Sequence, residues 1–311
     1  MLVKILNLDE QNVRPAAHGG YFFRPTVTKR YILLARPVET WTEDDSAAVQ
    51  ESVQESFDRF QDHLAAAENE GQRVFVKEHA FFLNNPLYEW QHAYGVDRFR
   101  GQEPLSVSVR GLDAPPNAST RSPLNLTSMP DEFLLTWNPT FLIRHPAMVL
   151  PSLYRVTLKD VEIDGFQRPE RKPMAPERTM KWVRSLYDFY AAHFGDGSPW
   201  PIVLDADDVI TQPALVARYA ALVGLDPDKL RFSWDKMATE KLSPVEKLML
   251  STISTSTGVD VSKAAGDIDI GREAVRWREE FGAEAAGELE RWVSEAMPDY
   301  LFLRERRLKL E

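Results

Sequence analysis

Hydrophobic residues fall into short apolar runs and into longer stretches where they recur every three or four positions. Residues 141–143 and 201–204 are short apolar runs bounded by turn-forming residues, which is typical of buried strands. Residues 74–76 form a third run of the same kind, and residues 31–34 indicate a further short strand. Strands separated by helical stretches predict the α/β class.

The longer stretches predict amphipathic helices. The clearest covers residues 43–70, whose apolar side chains lie three and four positions apart and whose charges form a solvated face. Further helices are predicted at residues 2–8, 213–223 and 272–297. Gly224 is in the right place to end the second of these, because glycine readily adopts the left-handed conformation that closes a helix.

A basic side chain follows the predicted strand at residues 141–143. Arg144 lies at the carboxyl end of this strand, and Pro146 is placed to open a helix that carries Ser152. Amide donors and the macrodipole at a helix N-terminus favour an anion, and an arginine and a hydroxyl group can both face it. The pattern therefore indicates an anion site, with an ordinary surface arginine as the alternative.

A second polar cluster follows the predicted strand at residues 74–76. Lys77 and His79 come directly after it, and open α/β sheets bind ligands at the carboxyl ends of their strands. An imidazole whose pKa lies near neutrality suits a general base, and a lysine suits developing negative charge. The alternative is a histidine that simply satisfies a neighbouring carbonyl group.

Two aromatic residues stand beside turn-forming segments and are candidates for lining a binding site. Tyr21 lies in a loop that follows His18, and Trp90 lies in a long irregular stretch at residues 81–131. Loops of this length in compact domains are usually functional lids or disordered inserts. We expect residues 81–131 to form a cap-like insertion. Plain core packing and a mobile surface insertion remain as alternatives.

Composition narrows the range of partners. A formal net charge of −10 argues against nonspecific nucleic-acid binding, and the absence of cysteine excludes disulfides and thiolate metal sites. No apolar run approaches the roughly 20 residues needed to span a membrane, and no signal-peptide pattern opens the chain. A cytoplasmic protein is expected. The aspartates that follow residues 201–204 are expected to cap a helix or tie loops together, and no metal site is predicted.

Three motifs resemble those of sulfotransferases, P-loop-like α/β proteins that use 3′-phosphoadenosine 5′-phosphosulfate (PAPS) as sulfuryl donor. Arg-x-Pro at Arg144, with Ser152 eight residues later, resembles their 3′-phosphate-binding segment, and Lys77-x-His79 resembles their Lys-x-His pair. Residues 298–303 resemble the closing segment of the large fungal branch. Residues 262–267 resemble in position the family's basic segment over the 3′-phosphate, although serine replaces its arginine.

The resemblance implies a single sulfotransferase-like domain over residues 1–311. Its expected architecture is a three-layer fold with a mostly parallel central sheet flanked by helices, the cap-like insertion near residues 81–131 and a helical C-terminal region at 232–311. It also implies roles for four of the residues. Arg144 and Ser152 would hold the 3′-phosphate, His79 would be the base that deprotonates an acceptor hydroxyl, and Lys77 would stabilise developing charge.

In the family, a loop that cradles the 5′-phosphosulfate precedes a helix like that at residues 2–8, and this sequence contains no residues for it. Natural loss is favoured over a trimmed sequence. Loss predicts a cofactor-independent cyclase or isomerase of fungal secondary metabolism, for example one catalysing a [4+2] cyclisation of an apolar small molecule. His79, Lys77 and Arg144 would then polarise the substrate. A PAPS-dependent sulfotransferase and a non-catalytic small-molecule-binding protein are the alternatives, and no oligomeric state is indicated.

Overall fold

The computed structural model describes residues 1–16, 20–111, 121–159, 161–163, 165–240, 242, 247 and 250–310. His18, which belongs to the predicted loop before Tyr21, lies outside the described residues. The described α-helices are, in chain order, α1 (Leu2–Leu6), α2 (Arg24–Leu34), α3 (Glu43–Asn69), α4 (Pro86–Tyr94), α5 (Asp131–Leu134), α6 (Pro146–Thr157), α7 (Lys181–Phe194), α8 (Ala206–Thr211), α9 (Pro213–Leu222), α10 (Ser251–Thr255), α11 (Ile270–Phe281) and α12 (Ala283–Glu305).

Two parallel strands, β1 (Thr140–Ile143) and β2 (Ile202–Asp205), pair directly, with Phe141 opposite Val203. Every residue of β2 is buried, which agrees with its apolar run Ile202–Leu204. Parallel neighbours need a crossover, and here the intervening chain is largely helical. The α/β class and both of these strands are therefore confirmed.

The predicted helix at residues 43–70 is confirmed as α3. Thr42 caps its N-terminus, because the Thr42 hydroxyl accepts the Asp45 amide N–H and the Asp45 carboxylate accepts the Thr42 amide N–H in return. Val53 and Phe57 are fully buried on its apolar face. The helix at 213–223 is confirmed as α9, and Gly224 follows it with a φ of 75°.

The prediction of a strand at residues 31–34 is wrong. These residues form the end of α2, which begins at Arg24 with Pro25 in its first turn. Val27, Tyr31 and Leu34 are buried and lie three or four positions apart, so the helical period decides the structure over this short apolar run.

The prediction of a strand at residues 74–76 is also wrong. Arg73 forms one isolated parallel bridge with Val13, and none of the described residues pairs its backbone with residues 74–78. The apolar run still packs inward, since Phe75 and Val76 contact two different hydrophobic clusters. A strand requires a pairing partner as well as an apolar sequence.

The single helix predicted at residues 272–297 is two helices, α11 and α12. Gly282 separates them with a φ of 86°, a conformation that L-residues rarely adopt and that turns the chain. Both helices pack through Trp277, Leu289 and Trp292 onto the apolar face of α6.

The largest hydrophobic cluster joins α2, α3, α4, α7 and β1. The described part of residues 81–131 contributes buried side chains to it, namely Leu87, Trp90, Phe99, Val107 and Met129. A second cluster joins α1, β2 and α9, and Phe75 packs against it. Segment 73–79 therefore lies between two parts of the core. None of the described helices has the length and apolar character of a membrane span.

Candidate functional site

Tyr21, Lys77 and His79 lie together. The Tyr21 hydroxyl is 3.3 Å from His79 Nε2, and the two rings are stacked with their centroids 5.2 Å apart. Lys77 Nζ lies 4.3 Å from the centroid of the Tyr21 ring, a cation–π contact. The structure thus brings Tyr21 next to Lys77 and His79, which lie 56 and 58 positions later in the sequence.

His79 is uncharged at neutral pH. Desolvation by neighbouring side chains, followed by the charge of Lys77, lowers its pKa from 6.5 to about 4. The residue as a whole is nevertheless exposed to solvent, so the rings that contact it cover it only in part. When the proton of the neutral ring is on Nδ1, the Tyr21 hydroxyl donates to Nε2.

Aromatic side chains surround the imidazole on further sides. The Phe82 ring meets it edge-on at 4.9 Å, and the Phe81 ring stacks on it at 5.4 Å. Arg30, which is completely buried in α2, donates to the backbone carbonyls of Phe81 and Phe82 and forms an ion pair with Glu89. A buried arginine therefore fixes the turn that follows His79.

Glu78 is a residue of this site that the sequence pattern did not identify. Its Oε1 accepts the amide N–H groups of Phe22 and Phe23, while Oε2 is buried without a hydrogen-bond partner. Burial raises its pKa from 4.5 to about 8, against the opposing effects of these two N–H groups and Lys77. The position after a predicted strand and the Lys-x-His spacing both drew attention to this segment, but neither gave Glu78 a role.

Arg144 lies at the carboxyl end of β1, as predicted. Its Nη2 donates to the backbone carbonyl of Lys263 at 2.9 Å, and its Nε is buried without a partner. The Asp207 carboxylate holds the same segment, because it accepts the amide N–H groups of Ala265 and Gly266 at 2.8 and 2.9 Å. An unpaired buried guanidinium N–H is a donor that an anion could satisfy.

Ser152 and Trp90 do not join these groups. Ser152 is exposed on α6, as predicted, but no hydrogen bond connects it with Arg144. Trp90 is buried and packs against Trp41 and Phe99 at centroid distances of 5.0 and 6.0 Å. Their proposed binding roles remain predictions.

Two separate polar groups therefore stand as the candidate site. Among the described residues, no hydrogen bond, ion pair or ring contact connects the Tyr21–Lys77–His79 group with Arg144.

Asp205 caps α8 by accepting the Asp207 amide N–H, as expected for the aspartates at the end of β2. The described residues contain no cluster of three or more histidine, aspartate or glutamate side chains that could hold a metal ion.

Curated relatives match the whole chain. It is 41% identical over 327 residues to a protein named sulfotransferase ppzF from Metarhizium rileyi, and 41% identical over 328 residues to one of the same name from Metarhizium majus. The alignments cover all of this chain and 93% and 94% of those proteins. No family model and no solved structure matches. At this identity over the full length, the chain belongs to the fungal sulfotransferase-like family.

Proposed function

We propose that this protein transfers a sulfuryl group from PAPS to a hydroxyl group of an apolar small molecule. The observation that carries the proposal is an uncharged His79 with Lys77 and Tyr21 beside it. An uncharged imidazole has a nitrogen free to accept a proton at neutral pH, although a pKa of about 4 makes it a weaker base than the near-neutral imidazole expected from the sequence. A lysine nearby can stabilise the charge that develops. The names of the relatives support the same chemistry.

The reaction requires one proton transfer to the protein. The acceptor hydroxyl would take the place of the Tyr21 hydroxyl at His79 Nε2, and this nitrogen would accept its proton while the acceptor oxygen forms a bond to sulfur and the bond between sulfur and the donor's phosphate oxygen breaks. When bound, the donor supplies the activated sulfuryl group and the leaving phosphate. Lys77 would stabilise the negative charge on the oxygens. Phe81 and Phe82 provide an apolar surface against which an acceptor could pack.

Arg144 fits the nucleotide part of the donor. Its buried, unpaired Nε can donate to a phosphate oxygen, and the segment at Lys263 already lies against its guanidinium group. Asp207 fixes that segment through two backbone hydrogen bonds. Arg144 would therefore hold a phosphate of the donor beneath residues 263–266.

A cofactor-independent cyclase or isomerase is the second candidate. The observation that favours it is the combination of two donors, Lys77 Nζ and the Tyr21 hydroxyl, with the aromatic rings of Phe81 and Phe82. Such a surface could bind an apolar substrate and polarise a carbonyl group in it, which is what a pericyclic cyclisation needs.

Two measurements on the purified protein distinguish these functions. The first is calorimetric titration with adenosine 3′,5′-bisphosphate, and the second is release of that nucleotide from PAPS with and without a panel of hydroxylated aromatic and aliphatic acceptors. Binding together with acceptor-dependent release supports sulfuryl transfer. A folded protein that neither binds nor releases the nucleotide contradicts it, and conversion of an acceptor without PAPS would support the cyclase. Nucleotide binding without turnover would indicate a non-catalytic binding protein.

A further inference from the structure

The backbone on both sides of Tyr21 is held against the segment that carries Lys77 and His79. On one side, Gly20 has a φ of 93°, and a Cβ atom there would lie 3.1 Å from Lys77 N. On the other side, Glu78 Oε1 accepts the N–H groups of Phe22 at 2.5 Å and Phe23 at 3.0 Å. Tyr21 is therefore fixed at both ends where its ring covers His79.

Glu78 is suited to this role by its place in the chain. Side chains alternate along an extended segment, so Glu78 points away from Lys77 and His79. It is half-buried, with Oε2 fully buried, and the two N–H groups that it accepts directly precede α2. N–H groups at the start of a helix lack intrahelical partners, which makes a carboxyl oxygen a favourable acceptor there.

We propose that Glu78 is a positioning residue that acts on His79 through Tyr21. Glu78 fixes the backbone of residues 22 and 23, this fixes the Tyr21 ring, and the Tyr21 hydroxyl and ring orient the imidazole and limit its access to water. The importance of this arrangement for turnover rests on the proposed role of His79 as base. The arrangement itself does not, so it can be tested without donor or acceptor.

The physical consequence concerns the protonation of His79. A hydroxyl that donates to Nε2 stabilises the neutral ring, and the face of the ring that Tyr21 covers is less well solvated in the charged form. If Tyr21 moves away, water reaches the face of the imidazole that Tyr21 now covers, and the pKa of His79 rises from about 4 towards its ordinary value of 6.5. The charge of Lys77 opposes part of that rise.

The test is a histidine titration followed by NMR on ¹³C- or ¹⁵N-histidine-labelled protein, with His79→Ala to assign the signal. Glu78→Leu removes the acceptor, and we expect the pKa of His79 to rise by about one unit or more. Glu78→Gln keeps an oxygen that can accept both N–H groups, and we expect it to leave the pKa near the wild-type value. Tyr21→Phe should raise the pKa by a smaller amount in the wild-type background and have no further effect in Glu78→Leu.

Two further variants protect the test against misfolding. Gly20→Ala displaces the same loop from its other end and should raise the pKa of His79 in the same direction, even if Glu78→Leu does not fold. Asp45→Asn weakens the cap of α3 and should leave the His79 signal unchanged. A folded Glu78→Leu or Gly20→Ala variant with an unshifted His79 would overturn the proposal. The proposal would also be overturned if Tyr21→Phe shifted the pKa of His79 equally in wild type and in Glu78→Leu. The same holds if Glu78→Gln and Glu78→Leu shifted that pKa equally.

Discussion

Two regions of the molecule place a polar side chain at the end of an extended segment, and they hold it in different ways. Arg144 follows β1, a strand paired along its length with β2, and α6 begins two residues later. Lys77 and His79 lie at the end of segment 73–79. Among the described residues, the only ladder contact of this segment is the bridge between Arg73 and Val13. The first region is held mainly by backbone pairing and the second mainly by side chains.

The side-chain contacts of the second region come from distant parts of the chain. Glu78 binds the loop before α2, Tyr21 contacts His79, and Arg30 holds the carbonyls of Phe81 and Phe82. Replacing one side chain should therefore change the geometry of this region more than it changes the strand that carries Arg144. The following predictions test this difference, beginning with the largest effect.

The largest effect is expected for His79→Ala. Loss of a general base should lower turnover by about 10²- to 10⁴-fold while leaving nucleotide binding within a few-fold of wild type, because the phosphate contacts belong to the other region. The measurement is acceptor-dependent release of adenosine 3′,5′-bisphosphate. The control is His193→Ala, an exposed histidine near the end of α7. Equal rates for the two variants would remove His79 from the chemistry.

A smaller effect is expected for Arg144→Ala. Removing a charged donor to phosphate should raise the dissociation constant of adenosine 3′,5′-bisphosphate by about 10- to 100-fold, as expected for one or two charge-assisted hydrogen bonds. Calorimetric titration measures it. Arg155→Ala is the matched control, because Arg155 is an exposed arginine of α6 whose partner is Glu280. If Arg155→Ala weakened binding as much, the effect would come from net charge.

The difference between a region held by backbone pairing and one held by side chains also explains which elements could be predicted from the sequence. β1, β2 and α3 were predicted because each carries its own apolar period, and Arg144 was correctly placed at a strand end. Segment 74–76 has the composition of a strand, but pairing depends on a neighbour that local sequence does not specify.

Site residues could likewise be predicted only where the local sequence carries a signal. The Lys-x-His spacing singled out Lys77 and His79, and glycine next to an aromatic residue drew attention to Tyr21. Glu78 and Arg30 gave no signal, since their partners lie more than 50 positions away. Trp90 is buried in the core, where a tryptophan from an irregular stretch can equally serve packing, so its binding role stays a prediction.

Asp207→Ala should weaken nucleotide binding by a few-fold. This result would mean that the region around Arg144 also depends on one side chain. Without this carboxylate, the N–H groups of Ala265 and Gly266 lose their acceptor, so the segment over Arg144 should loosen. We expect about 3- to 10-fold weaker nucleotide binding and a free energy of unfolding lower by about 1–2 kcal/mol. Calorimetry and urea unfolding measure these quantities. Asp226→Ala, which removes a cap from an exposed 3₁₀ turn, should reduce stability without weakening nucleotide binding.

The smallest expected effect is a pH dependence of the free energy of unfolding that comes from the region around Lys77 and His79. Glu78 has a raised folded-state pKa of about 8, so the folded protein binds more protons than the unfolded chain between about pH 4.5 and 8. The stability contributed by Glu78 is therefore fully present below pH 4.5 and is lost as pH rises towards 8. His79, whose pKa is lowered to about 4, has the opposite sign, with stability lost as pH falls from 6.5 to 4.

The two contributions separate as pH rises above 6.5, because the histidine of the unfolded chain loses its remaining charge there while Glu78 still titrates. The free energy of unfolding of wild type minus that of Glu78→Gln should fall between pH 6.5 and 8, with a slope of at most about 1.4 kcal/mol per pH unit. Urea unfolding at three pH values measures it. Asp45→Asn should give a constant difference, because the pKa of Asp45 is lowered to about 2 by Arg36 and lies far below this range. A constant difference for Glu78→Gln as well would mean that Glu78 is already ionised at pH 6.5. Its contacts with Phe22 and Phe23 would then be those of a carboxylate, and the side-chain-held region would be no more sensitive to pH in this range than the strand that carries Arg144.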